Sequence, residues 1–141
     1  SGQVGQVEGI KNNSLKTQKM NQIIQQLRRI EQKVIAHEMA HKVVAGRYAG
    51  AAHYTYTRGP DGKLYITGGE VQLDLTEEAD PEDTVRKMEI IQAAALAPSD
   101  PSSQDIRVAQ IAAMKKMKAE MEASRKREEE KTLGNLVSIF V

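Results

Sequence analysis

The sequence predicts an α+β domain: a long helix packed on a β-hairpin that extends into a three-stranded antiparallel sheet, followed by two further helices. Three observations predict it. Met20, Ile23, Leu27, Ile30 and Val34 recur at helical spacings of three and four. Residue types then alternate through "HYTYTRGPDGKLYITGGEVQLDL". Finally, "ADPEDTVRKMEIIQAAALAP" and "PSDPSSQD" both carry helix-start signals.

Taken in order, residues 1–17 mix Gly, Gln, Asn, Ser and Lys without periodicity, which predicts a mobile arm. Its Ser1-Gly2 opening has the look of a scar left by tag removal. The apolar stripe starts at Met20 and runs unbroken through "VIAHEMAHKVV", with Gly46 and Gly50 as stops. Pro60-Asp61, flanked by Gly59 and Gly62, suits the centre of a tight turn, with strands at 53–58 and 63–67. Pairing Arg58 with Lys63 would set Tyr56 opposite Tyr65 and Tyr54 opposite Thr67, three tyrosines on one face. Gly68-Gly69 is read as a bulge or kink that breaks the strand, after which "EVQLDL" forms the third strand.

Asp80 is a helix N-cap, with Pro81 in the first helical position and acids in the first turn; Pro98 stops that helix. Asp100-Pro101, or Ser102 with Asp105, caps the next, which starts near Gln104. From residue 119 to 141 the pattern is a charged helical extension and an apolar tail, leaving 18–118 as the folded domain.

Composition narrows the function. A net charge of +1 gives no field that would draw the chain to nucleic acid, and no apolar run reaches the length of a membrane span. The pattern is that of a soluble chain without a signal peptide, and it specifies no compartment or oligomeric state. With no cysteine, any zinc site must use His and carboxylate ligands.

Such a site is indicated by His37, Glu38 and His41, an HExxH motif. Residues four apart on a helix share a face, so both histidines reach one ion, and the stripe before them turns that face inward. Burying two imidazoles and a carboxylate without partners would cost several kcal/mol, on the order of the transfer penalties for polar groups, which a metal offsets. Glu38, beside the ligands, has the position of a general base acting on a zinc-activated water. The expected function is that of a zinc-dependent peptidase acting on a peptide or protein substrate. Its alternatives are a metal-stabilised interaction module without catalysis and a zinc hydrolase with another substrate.

"AHEMAHKVVAGRYAGAAHYTYTRGPDGKLYITGGEVQLDL" with "DPEDTVRKMEIIQAAALAPSDPSSQD" resembles the SprA-related family of bacterial proteins over about residues 34–108. The resemblance implies a metalloprotease catalytic domain, a minimal zincin-like fold and a bacterial source. Catalytic zinc sites ordinarily take three protein ligands. Glu70 is the first choice for the third, because the Gly-Gly kink can re-aim it, although it also reads as a solvent-facing strand residue. Asp74, Glu89 and Asp105 are the alternatives. Tyr54, Tyr56, Tyr65 and His53 are candidates for oxyanion or substrate contacts; the tyrosines also suit simple packing against the helix, and His53 an ordinary loop position.

Overall fold

The computed structural model describes the backbone of residues 2–141 and the side chains from residue 6 onward. The reading of Ser1 falls outside them. In chain order the elements are α1 (Gly2–Ala45), a 3-10 turn (Gly46–Tyr48), β1 (Ala49–Arg58), β2 (Leu64–Leu73), α2 (Pro81–Ala95) and α3 (Ser103–Phe140). Three helices and a two-stranded antiparallel sheet make the chain α+β, as expected.

The expected third strand is not formed among the described residues. β2 runs unbroken through Gly68-Gly69, so "EVQL" continues the same strand. Neither glycine has a positive φ. Glycine permits a break in a strand without imposing one.

Helix α1 also begins earlier than the stripe implies. It is helical from Gly2, where an irregular arm was expected, and residues 6–19 are exposed along it. Once a helix is nucleated, adding a residue requires little more than its own backbone bond, so exposed turns extend a packed helix. The covered positions from Met20 on are Met20, Ile24, Leu27, Ile30, Glu31, Val34, His37, Glu38, Ala40, His41 and Ala45, a face that recurs at spacings of three and four. Ile23, expected on this seam, is 48% exposed, and Ile24 replaces it. The helix stops where Gly46 adopts φ +57°, the left-handed turn the sequence signals.

The chain forms two compact units, residues 1–38 with 52–70 and residues 39–51 with 71–141. In the first, the hairpin tip closes with Gly62 N–H donating to Gly59 O at 3.0 Å and Gly59 N–H to Lys63 O at 2.8 Å. Lys63 therefore pairs with Gly59, one residue away from the Arg58 pairing read from sequence. A slip of one residue moves side chains to the opposite face. Thr57 and Thr67 touch through their hydroxyls at 2.7 Å, so Tyr65, two residues before Thr67, shares the face of Thr57 and not of Tyr56. The three-tyrosine face is not formed. Helix α1 meets this hairpin through Glu31, whose Oε2 accepts the Ile66 N–H at 2.8 Å.

In the second unit Met88, Ile91 and Ala112 are fully buried, with Tyr48, Leu73, Leu75 and Val108 packed around them. Each large apolar side chain buried here stabilises the unit by about 2 kcal/mol. Ala94 and Ala95 on α2, with Ala109, Ala112, Ala119 and Ala123 on α3, are also buried. Side chains this small let the two helix backbones approach closely. Asp80 caps α2 by accepting the Glu82 N–H at 2.9 Å, with Pro81 in the first turn. α3 continues to Phe140, and every residue from Ser124 on is exposed. Among the described residues, no helix is long and apolar enough to cross a membrane.

Candidate metal centre

His41 is 2% exposed and lies on the seam of α1. Its Nδ1 is 2.8 Å from the carbonyl oxygen of Ala94, near the end of α2. A carbonyl only accepts, so Nδ1 donates to it and Nε2 is the ring nitrogen turned toward the carboxylate. Nε2 lies 3.2 Å from Asp105 Oδ1. A neutral imidazole would set its lone pair against carboxylate oxygen in that geometry. The contact is favourable with a cation, a proton or a metal ion, between the two atoms.

Asp105 is held by the start of α3. Ser102 Oγ accepts the Asp105 N–H at 3.0 Å, and Asp105 Oδ2 accepts the Ser102 N–H at 2.9 Å, a complete capping box. The box fixes one carboxylate oxygen and leaves Oδ1 directed at His41. His37, one turn back along α1, completes the group. One nitrogen of each histidine and one Asp105 oxygen lie within 4.8 Å of one another, and this cluster could hold a metal ion.

Two imidazoles and one carboxylate are donors that suit a divalent metal ion. His41 donating its second nitrogen to a backbone carbonyl is the usual way a ligating imidazole is oriented.

The other residues singled out by sequence stand elsewhere. Glu38 is on the seam and only 3% exposed, against the hairpin at Gly69. Glu70 is exposed on β2 and is not in the cluster; Asp105, one of its alternatives, is. Asp74 accepts from Lys87 Nζ at 3.0 Å and from the Thr76 hydroxyl. Those bonds, the Thr76 hydroxyl foremost, hold its carboxyl down at about 2. Glu89 pairs with Lys116 at 3.3 Å. The Tyr65 hydroxyl donates a hydrogen bond to Asp61 Oδ2 at 2.5 Å, which raises the pKa of the phenol and lowers that of the carboxyl. Tyr54 is half-buried, whereas Tyr56 and His53 are exposed. Sequence reasoning missed the Ala94 carbonyl, since a backbone acceptor leaves no signature in residue types. It also read the Ser102–Asp105 cap and the ligand candidate Asp105 separately, without linking them.

No curated protein and no solved structure matches this chain. The model of one family, described as the SprA-related family, matches residues 3–135, almost the whole length. The chain belongs to the SprA-related family.

Proposed function

We propose that this chain is a zinc-dependent peptidase, with His37, His41 and Asp105 as the protein ligands and Glu38 as general base. The observation that carries the reading is the convergence of two helical histidines and one cap-held carboxylate within 4.8 Å. Asp105 replaces Glu70 as third ligand in this reading, because Asp105 stands in the cluster and Glu70 faces solvent. When bound, zinc supplies a Lewis acid that polarises the scissile carbonyl and acidifies water. His41 holds its donor nitrogen in place through the Ala94 carbonyl, and Asp105 does so through the capping box. Glu38 takes the proton of the attacking water on a carboxylate oxygen and passes it to the leaving amine.

The reading is tested with a mixed peptide library and zinc-loaded protein. Cleavage that disappears in Glu38→Gln, with zinc still bound, supports it; equal cleavage by the variant refutes the role of Glu38.

A second reading has its own observation. His41 joins α1 to α2 through Ala94 and to α3 through Asp105, so a metal here would also fasten the helices of the second unit. A structural module of this kind would bind zinc, gain thermal stability from it, and cleave nothing.

A further inference from the structure

We propose that Gly69 is a positioning residue for Glu38, an inference that rests on the general-base reading above. Of the two glycines in "TGGEV", only Gly69 is tightly hemmed in. A Cβ built on Gly69 would stand 3.2 Å from Glu38 Cγ, 3.2 Å from Val34 Cγ1 and 3.0 Å from Tyr54 Cδ1. One built on Gly68 would meet Thr55 at 3.5 Å, an ordinary contact. Backbone conformation does not explain the glycine, since the positive φ values fall at Gly46 and Gly62. Space explains it. The bare backbone of β2 lets α1 approach until the Glu38 stem lies against the strand, with Val34 and Tyr54 closing the sides.

The consequence is steric. Glu38 is 3% exposed and carries its carboxylate at the end of a stem with few alternative rotamers once Val34, Tyr54 and the strand surround it. A methyl at position 69 would press on that stem, which must give by a few tenths of an ångström, and would re-aim the carboxylate. A displacement of about 1 Å lowers turnover on the order of 100-fold, so a shift of this smaller size is expected to lower it roughly several-fold.

The test uses the full chain with glutamate carboxyl carbons labelled, the Glu38 signal being identified by its loss in Glu38→Gln. In the unsubstituted protein, a strong NOE is expected between the Gly69 Hα and Glu38 Hγ protons. Gly69→Ala should move the Glu38 carboxyl signal, leave zinc affinity unchanged and reduce kcat for peptide cleavage roughly several-fold with KM unchanged. Gly68→Ala should do none of this. A missing NOE overturns the proposal even if Gly69→Ala fails to fold, and so does an equal shift of the Glu38 signal in both alanine variants. If the unsubstituted protein cleaves no peptide, the peptidase reading fails, while the NOE and the carboxyl shift still decide whether Gly69 places Glu38.

Discussion

His41 Nε2 faces Asp105 Oδ1 across 3.2 Å while His41 Nδ1 is committed to the Ala94 carbonyl. Both nitrogens of one buried ring thus point at acceptors. A proton or a metal ion between the two atoms satisfies both, and of the candidate carboxylates it is Asp105 that stands beside the two histidines. Asp105→Ala is expected to weaken zinc binding by at least the 10- to 100-fold that loss of an orienting group alone costs, about the lower bound for a ligand. Glu70→Ala should leave affinity unchanged. Competition with a chromophoric chelator measures both.

Ser102 contributes to the same carboxylate in two separable ways. Its hydroxyl caps α3, and its backbone N–H holds Asp105 Oδ2. Ser102→Ala removes only the first. It should lower stability by about 1 kcal/mol in urea unfolding, the usual loss for a cap, and reduce zinc affinity far less than Asp105→Ala does. A loss of affinity as large as that of Asp105→Ala would mean that the hydroxyl, and not the backbone, aims the carboxylate.

Lys87 is 1% exposed and its ammonium meets Asp74 at 3.0 Å, Glu78 at 3.1 Å and the Thr76 hydroxyl at 3.0 Å. Burial pulls its pKa down, but the hydrogen bonds and charges of the two carboxylates outweigh that and raise it. Removing one sign should be worse than removing the other. Lys87→Met, which keeps the stem, is expected to change stability by less than about 1 kcal/mol. The pair Asp74→Asn and Glu78→Gln strands a buried charge and should cost about 3 kcal/mol.

The same network sets a pH dependence. Asp74 titrates at about 2 when folded, below its usual 3.8. A depressed carboxyl contributes stability above its unfolded value and loses it as pH falls, here between about pH 4 and 2. Lys87 works in the other sense: its contribution is complete below the ordinary lysine value and disappears as pH rises through the raised one. The Asp74 side chain is 46% exposed, so solvent screening keeps its share below about 1 kcal/mol. Urea midpoints from pH 5 to 2 should therefore fall less steeply in Asp74→Asn than in the unsubstituted protein.

The apolar face of α2 and that of α3 should respond differently to truncation. Ile91 is fully buried in the second unit, and Ile91→Ala is expected to cost about 3 kcal/mol. Met114, on α3, is 70% exposed, and Met114→Ala should fall within about 0.5 kcal/mol of zero. Urea unfolding distinguishes the two.

Much of this molecule is legible in its residues alone. The helix stripe, the "GPDG" turn and the caps at Asp80 and Ser102 are local, and each residue carries its own signal. Features that depend on partners distant in sequence are not legible in the same way. Gly68-Gly69 reads as a kink because isolated glycines often mark one, whereas the strand continues and Gly69 yields space to Glu38. The tyrosine face depends on pairing Arg58 with Lys63, and one residue of slip dissolves it. His37, Glu38 and His41 declare themselves by spacing on one helix. Asp105 lies 64 positions beyond His41, and only the packing of α3 brings it to the ring.

The central claim is that His37, His41 and Asp105 together bind one zinc ion, and calorimetric titration of metal-free protein with zinc tests it most directly. One ion per chain is expected, with binding lost in His37→Ala and His41→Ala and strongly weakened in Asp105→Ala while their helical circular dichroism is retained. Absence of saturable binding, or binding that these three substitutions leave unaltered, would contradict it.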